Sequence, residues 1–255
     1  MQIEVFLMTH KTKGIILRTI KYGETSLIAT TFTELFGVQT YLVNGVRKIQ
    51  PKGGKIIMLQ PGALLDMEVY HNELKNMQRL KDCNWSLVYT HLLSDVIKNS
   101  VLTFMMELLF KTVRQPESDI NLFDFCEDSL IYLDKCKPSH TANFALYFSL
   151  QLPQFFGFKI ESPSIEKTSQ DKIYLDLKEG KFENEKPLHH HFIEGELALQ
   201  TIELLKIMHP DELDQIKLNK EIRRNLLLAY LEYFSLHLND FGQMKSLKIM
   251  QEVLS

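Results

Sequence analysis

The sequence has little of several features that would assign a function class at once. Its 255 residues hold three cysteines, one tryptophan and a formal net charge of only −3. No apolar run approaches the roughly 18 to 20 residues that a membrane-spanning helix needs. Residues 1–7 lack the basic region and the small-residue cleavage site of a signal peptide. We therefore expect a soluble, cytoplasmic protein that does not contact the membrane.

The scarcity of cysteine and the absence of nucleotide motifs narrow the chemistry further. Cys83, Cys126 and Cys136 are odd in number and lie inside apolar patterns. This predicts buried free thiols in a reducing compartment, because a disulfide framework needs pairs. The sequence contains no P-loop, no Gly-x-Gly-x-x-Gly motif and no acidic metal cluster. ATP-driven chemistry is excluded on this ground, and we predict no cofactor.

The composition that is present is ordinary for a globular protein, but its charge is unevenly spread. Hydrophobic residues make up 45% and charged residues 24% of the chain, enough for one large or two moderate domains. Residues 1–80 hold ten basic and six acidic residues, a balance of +4, so the remainder carries −7. Such asymmetry points to a polyanionic partner for the basic part.

The first 85 residues predict a small β-barrel. Apolar, β-branched or alternating segments indicate strands at 15–20, 27–32, 38–43, 65–70 and about 77–82. A long basic loop rich in Gly and Pro, residues 44–62, joins the third and fourth strands. Five short strands with one long loop fit a closed barrel, most commonly the oligonucleotide-binding (OB) fold.

From residue 86 onward the apolar period becomes helical. We predict a helix that ends before Pro116, another capped by Asp119, a buried helix over 144–156, and amphipathic helices over 227–238 and 244–254. A β-hairpin with Gly180 in its turn is expected between them. The predicted class is an α+β, two-domain fold. Its parts are an N-terminal extension (1–10), an OB-fold DNA-binding domain (11–84) and a helical domain (85–255) with a hairpin insert (about 158–192).

Short motifs along the first domain appear in a recognisable order. They are Gly14–Leu17, Tyr22–Leu27, Phe32–Glu34, Gly37 and Leu42–Lys48. In this order they resemble the opening of RecO, a family of bacterial recombination mediators in DNA repair. The segment 144–158, and Gly242 with the segment 245–247, are similar to the family's central and last helices, so the resemblance spans nearly the whole chain.

The resemblance implies a protein that is not an enzyme. It would bind and anneal single- and double-stranded DNA in the bacterial cytoplasm, associated with the nucleoid. With a RecR partner it would help load the RecA recombinase onto strands coated by single-stranded-DNA-binding protein (SSB).

Two features of the sequence depart from the family pattern. Many members hold zinc with two cysteine pairs in the insert, whereas residues 157–195 contain no cysteine, so no metal site is predicted. Family sequences also begin near Met8, so residues 1–7 are interpreted as an upstream extension.

Basic residues at strand ends and in the Gly-rich loop are the candidate DNA contacts. A cationic groove follows the phosphates of a strand, and an aromatic ring offers a surface for base stacking. Phosphate binding of this kind is sequence-independent and weakens with salt. The predicted set is Arg18, Lys21, Tyr41, Arg47, Lys48, Lys52 and Lys55. The alternative is that the lysines are solvated loop residues and Tyr41 is a core aromatic.

The resemblance also implies a site in the helical domain for the acidic, apolar C-terminal tail of SSB. Lys135, Lys137 and His140 are predicted there, at a junction of helices where Leu133 and Phe144 would form the walls. The alternative is that the lysines only complement the dipole at the end of a helix.

Two further groups invite a chemical interpretation. In an extended segment His189 and His191 project to the same side, which gives two ligands where structural zinc usually needs four. Ser26 has no suitably spaced base in the N-terminal part, which favours a turn role over a nucleophile. Two rival functions stay open: a protein–protein adaptor whose barrel lacks DNA affinity, and a metal-dependent hydrolase that uses the histidine run.

Overall fold

The structure is a computed structural model that describes residues 9–46, 54–114, 116–163 and 172–254. The chain divides into two compact units. One combines residues 1–90 with 106–131, and the other combines 91–105 with 132–255. The strands of the barrel end at Trp85, next to the boundary predicted at residue 84. The unit that contains the barrel nevertheless takes in the helical residues 106–131, which the sequence analysis had assigned to the second domain.

Five strands form a closed barrel in the first unit. They are β1 (Thr9–Tyr22), β2 (Ser26–Thr33), β3 (Gly37–Val43), β4 (Leu64–Tyr70) and β5 (Gln78–Trp85). A 3-10 helix, Gly54–Leu59, precedes β4. The strand order is β1-β2-β3-β5-β4, with β3 and β5 parallel and the other pairs antiparallel. This closed five-stranded barrel confirms the predicted OB-like fold. Strand β1 begins at Thr9, so two residues of the predicted extension belong to the barrel.

Strand β1 closes one side of the barrel because its 14 residues pair with two neighbours. Its first half pairs with β4 and its second half with β2, and a register shift between Ile16 and Arg18 marks a bulge that bends it. Gly14 lies where both pairings meet. A Cβ atom there would come within 2.4 Å of the Met67 sulfur and 2.8 Å of the Thr31 methyl group, so any side chain at this position would force these neighbours to shift.

One face of each strand points into the barrel interior. In β3 the buried residues are Gly37, Gln39, Tyr41 and Val43, and they alternate with partly exposed ones. The core contains Ile16, Leu27, Ala29, Tyr41, Val43, Val46, Leu59, Ala63, Leu65, Met67, Val69 and Cys83. The expectation that Tyr41 faces an outer groove is therefore wrong: its ring is 0% exposed. Apolar residues occupy both faces of β3, so alternation alone did not reveal which face is inside.

Helical residues of the first unit pack on the outside of β1 and β2. The Phe32 and Phe123 rings lie 5.5 Å apart, and the Lys13 Nζ lies 2.7 Å from Glu127 Oε1. Asp119 begins this helix as predicted, since its carboxylate accepts the Leu122 N–H at 2.9 Å.

The helices are α1 (Val96–Thr112), α2 (Ile120–Lys135), α3 (Pro138–Gln151), α4 (Glu196–Leu205), α5 (Lys220–His237) and α6 (Ser246–Val253). Two 3-10 helices, Leu152–Phe156 and Pro210–Gln215, accompany them. The predicted single helix over 144–156 is wrong at its end. Pro153 has no N–H to donate to the preceding turn, so the α-helix stops at Gln151 and continues as a 3-10 turn. No helix in the described part of the chain has the length and apolarity needed to cross a membrane.

A buried lysine holds the start of the second unit to the end of α2. Lys98 is 7% exposed, and its Nζ donates to the carbonyl oxygens of Asp134 and Cys136 at 2.7 and 2.9 Å. The Asp134 carboxylate in turn accepts the N–H groups of His91 and Leu92 at 2.8 and 2.7 Å. Cation and carboxylate together satisfy backbone groups that would otherwise be buried without partners.

The insert is a three-stranded sheet of β6 (Tyr174–Asp176), β7 (Lys181–Glu183) and β8 (Phe192–Glu194), in the order β7-β6-β8. The predicted hairpin is confirmed as β6–β7, with Gly180 in its turn at a φ of 66°. Strand β8 was not predicted, because three residues after a polar histidine run give too short a pattern.

Replacing Gly180 with Ala should destabilise the protein more than replacing Gly157. Both glycines have positive φ, so each substitution carries the left-handed backbone cost of about 1–2 kcal/mol. Only at Gly180 would the new Cβ also meet a neighbour, the Tyr233 hydroxyl at 2.5 Å, whereas nothing lies within 4 Å at Gly157. Overpacking adds about 1–3 kcal/mol. Melting temperatures of the two variants measure the difference, and equal values would contradict the close approach.

Candidate functional site

One outer face of the barrel carries exposed and partly exposed side chains. Strand pairing aligns Ile20 with Ile28, Ile28 with Leu42 and Leu42 with Arg79, which gives a row across β1, β2, β3 and β5. The adjacent row contains Arg18, Thr30 and Thr40. We call these two rows, together with Tyr22, the open face. It combines apolar surface with cations and lies on the strands that OB folds use to bind oligonucleotides.

The open face offers an aromatic ring at its edge. Tyr22 ends β1 and is 52% exposed, and Ile20 beside it is 44% exposed. Opposite Tyr22, the Ser26 hydroxyl donates to Asn44 Oδ1 at 3.2 Å, which is the turn role expected for Ser26. Tyr22 and Arg79 were not among the predicted DNA contacts. The position of Tyr22 in the sequence could have indicated its exposure. It precedes Gly23 at the start of a turn, where aromatic rings are seldom buried.

The predicted DNA contacts fall into three groups. Arg18 and Lys21 are exposed near the end of β1, and the Arg18 guanidinium lies 5.4 Å from the centre of the Phe110 ring. Tyr41 is enclosed in the core, and burial raises the pKa of its hydroxyl. Lys55 contacts Asp82 on β5, on the side of the barrel away from β2. Arg47, Lys48 and Lys52 lie outside the described residues.

The β1–β4–β5 side of the barrel has a different character from the open face. Three of its lysines are paired with acids: Lys13 with Glu127, Lys81 with Glu68 at 2.6 Å, and Lys55 with Asp82. Hydrogen bonds with their lysines hold the pKa of the Glu68 and Asp82 carboxyls below their usual range. This side therefore has little uncompensated positive charge for a polyanion. Arg18 and Arg79, by contrast, are exposed on the open face.

The second unit contains an apolar cavity of about 250 Å³ between α3, α5 and α6. Its apolar lining consists of Ala142, Ala145, Leu146, Leu227, Met250 and Leu254, and its basic lining consists of Lys220, Arg223, Arg224 and Lys248. Gln251 and one acid, Glu252, complete the lining, so the cations outnumber the acid. We call it the α3–α5–α6 cavity. An apolar pocket bordered by cations matches a peptide that carries both apolar anchors and negative charge.

The groove predicted between Leu133 and Phe144 is wrong, because both side chains are 0% exposed. His140 is also buried, at 6%, with its ring stacked on Tyr132 and hydrogen-bonded to the Tyr132 hydroxyl. Lys135 and Lys137 are exposed, but they lie outside the lining of the α3–α5–α6 cavity. The apolar residues that seemed to form a groove are instead the packing between helices.

The histidine run pairs with carboxylates. His189 Nε2 lies 3.0 Å from Asp176 Oδ2, and His191 Nδ1 lies 2.6 Å from Glu232 Oε1. The centres of the His189 and His191 rings lie 6.0 Å apart with their planes tilted by 41°. His189 lies in a bend and not in the extended segment that the sequence predicted. Asp176 also accepts the N–H groups of Lys178 and Glu179 at 2.7 and 3.1 Å, so it caps the turn of the insert.

The zinc set of the resembling family does not fit this insert. The strands β6, β7 and β8 and their turns contain no cysteine. Among the residues that the structure describes, no group of three or more His, Cys, Asp or Glu side chains is placed to hold a metal ion. Asp176 instead joins the turn to the histidine run through hydrogen bonds.

A closed barrel with one open face, followed by helices that enclose a cation-lined cavity, defines a two-domain OB-barrel protein. Comparison with known proteins matches the same two parts. The family model described as "Recombination protein O N terminal" matches residues 8–89, and the one described as "Recombination protein O C terminal" matches residues 93–248.

Relatives named "DNA repair protein RecO" match along nearly their whole length. The protein from Azobacteroides pseudotrichonymphae is 30% identical over 246 residues, which cover 96% of this chain and 99% of the relative. The Bacteroides fragilis protein is 30% identical over 247 residues, with 96% and 99% covered. The Christiangramia forsetii protein is 31% identical over 245 residues, with 95% and 98% covered. The chain belongs to the RecO family, and its role lies in DNA repair.

Replacing Asp176 with Ala should lower the melting temperature by several degrees. The change leaves two N–H groups of the turn and the His189 ring without their acceptor, at a cost of about 1–3 kcal/mol. Asp176→Asn keeps an acceptor oxygen for the turn and should lose less. Glu185→Ala, at an exposed position in the same insert, is the control. If Asp176→Ala and Glu185→Ala have the same melting temperature, the hydrogen bonds of Asp176 do not stabilise the insert.

Proposed function

We propose that this protein is a recombination mediator that acts by binding and carries out no chemical step. It binds single- and double-stranded DNA on the open face of the barrel and promotes annealing of complementary strands. With a RecR partner it helps load RecA onto strands coated by SSB, in the bacterial cytoplasm at the nucleoid. The observation that carries the proposal is the open face, where exposed arginines and a tyrosine border an apolar row.

The open face supports binding of a strand in two ways. Arg18 and Arg79 supply positive charge for phosphates, and the exposed ring of Tyr22 supplies a stacking surface that accepts any base. Neither contact reads sequence, as a mediator that acts on arbitrary damaged sites requires. Lys21 pairs with the core residue Leu27 and is therefore out of register with the open face. Lys21, and Arg47, Lys48 and Lys52 in the sequence after β3, stay predictions of further phosphate contacts.

We propose the α3–α5–α6 cavity as the site for the C-terminal tail of SSB. Such a tail is acidic and ends in an apolar residue with a free carboxylate. The apolar floor of the cavity suits the anchor, and the side chains of Lys220, Arg223, Arg224 and Lys248 suit the negative charge. This location replaces the predicted one, whose apolar walls are buried. Tail binding would bring the barrel to SSB-coated strands without requiring that the barrel first compete for the DNA.

Replacing Tyr22 with Ala should weaken binding to a single-stranded oligonucleotide by about 5- to 150-fold. Loss of one stacking platform costs about 1–3 kcal/mol per base. Tyr22→Phe keeps the ring and should bind like the unchanged protein, which makes it the matched control. Fluorescence anisotropy with a labelled oligonucleotide measures both variants. Equal affinity of Tyr22→Ala and the unchanged protein would remove Tyr22 from the DNA interface.

Reversing a charge at the cavity should separate the two possible tail sites. Arg224→Glu should weaken binding of a labelled SSB tail peptide at least tenfold, because a charge-assisted contact is worth about 1.5–3 kcal/mol. The double variant Lys135→Glu with Lys137→Glu serves as the control and should bind the peptide normally. If the lysine variant loses affinity and Arg224→Glu keeps it, the tail binds near α2 as the sequence analysis expected.

The two rival functions predict different results in these assays. A protein–protein adaptor without DNA affinity would bind the tail peptide and show no salt-sensitive affinity for oligonucleotides. A histidine-based metal hydrolase would carry stoichiometric metal after purification, with His189 and His191 among the ligands. The carboxylate partners of both histidines favour a structural role for them.

A further inference from the structure

A buried amide connects the α3–α5–α6 cavity to the segment that precedes α5. Asn143, on α3, is 4% exposed. Its Nδ2 donates to the carbonyl oxygens of Ile216 and Leu213 at 2.8 and 3.4 Å. Its Oδ1 accepts the Nε–H of Arg223 at 3.1 Å. Because donor and acceptor ends are both used, the amide has a single favourable orientation.

The Arg223 guanidinium is held at a second point. Its Nη2 donates to the carbonyl oxygen of Leu218 at 2.9 Å. Two anchors on a planar, five-donor group fix its plane and leave its other N–H groups available at the cavity wall. Partial burial lowers the pKa of Arg223, yet an arginine keeps its charge, so the cation acts in a less screened environment than an exposed one.

The other cations of the cavity are not held in one orientation in this way. Lys220, Arg224 and Lys248 are exposed, and long exposed side chains lose rotamer freedom when a ligand immobilises them. Arg223 is already ordered before a ligand arrives. A planar guanidinium also matches the two oxygens of a carboxylate, whereas an ammonium acts as a point charge.

We propose that Asn143 is a positioning residue that orients Arg223 and so gives the α3–α5–α6 cavity its preference for a peptide ending in a free carboxylate. Asn143 does this without touching the peptide. The proposal rests on the proposed tail site and adds to it the side chain that sets carboxylate recognition. Ordering one arginine in advance should be worth about a three- to tenfold gain in affinity.

The test compares two labelled SSB tail peptides of the same sequence, one with a free C-terminal carboxylate and one with a C-terminal amide. The full-length protein and four variants are titrated: Asn143→Ala, Asn143→Asp, Arg223→Met, and Asn143→Ala combined with Arg223→Met. The ratio of the two affinities is the readout, because a merely structural defect would weaken both peptides equally. Melting temperatures show which variants fold.

Asn143→Ala should weaken binding of the carboxylate peptide three- to tenfold and leave the amide peptide nearly unchanged. In the Arg223→Met background the same change should have no further effect. Asn143→Asp keeps the contact with Arg223 Nε but offsets its charge, so it tests the charge of Arg223 and not its orientation. If Asn143→Ala fails to fold, Asn143→Ser, whose side chain is shorter than that of Asn, takes its place.

The outcomes distinguish this inference from the proposed tail site. Equal losses for both peptides, or an additive loss in the double variant, would overturn the positioning role. If Arg223→Met loses the preference for the carboxylate peptide while Asn143→Ala keeps it, the positioning role alone is overturned. If the unchanged protein binds neither peptide, the tail site and the positioning role both fall.

Discussion

The barrel depends on the parallel pairing that joins β3 to β5, because this pairing closes the sheet. Tyr41 and Leu42 pair there with Gln78 and Arg79. Gln78 is 3% exposed, and its amide group bonds Asn72 N–H at 2.9 Å and the carbonyl oxygens of Asn72 and Lys75 at 2.9 and 2.7 Å. One side chain thus folds the loop that leads into β5 and sets the register of the closing strand. That register brings Arg79 beside Leu42, and so the outer row across four strands exists only in the closed barrel.

Local patterns in the sequence were sufficient for most of the fold. The strands, the Asp119 cap and the hairpin with Gly180 were predicted, because each depends on residues close together in the chain. The errors arose where two physical signals competed. Tyr41 lies on a strand with apolar residues on both faces, so only the closed barrel decides that it is inside. The apolar stretch at 144–156 indicated one helix, but the missing N–H of Pro153 outweighed that pattern.

The candidate sites were harder to predict than the elements that carry them. The α3–α5–α6 cavity takes its lining from residues 142–146, 220–227 and 248–254, and no local pattern reports that such distant segments meet. The prediction of a groove at Leu133 and Phe144 was wrong because both side chains are buried. Apolar residues on adjoining helices indicate burial, and burial removes the surface that a ligand would need. The network from Asn143 to Arg223 shows the same dependence on tertiary structure, because its partners lie 80 residues apart.

The hydrogen bonds of Asp176 have a consequence for the conditions under which the protein keeps its fold. Zinc thiolates are lost when their sulfur is oxidised, whereas a carboxylate bonded to an imidazole and two amides has no oxidisable ligand atom. The thiols of Cys83, Cys126 and Cys136 are themselves protected, since burial raises the pKa of each and keeps the reactive thiolate scarce. Oxidation of a thiolate, the reaction that releases zinc from a cysteine site, therefore has no target among the hydrogen bonds that Asp176 makes in the insert.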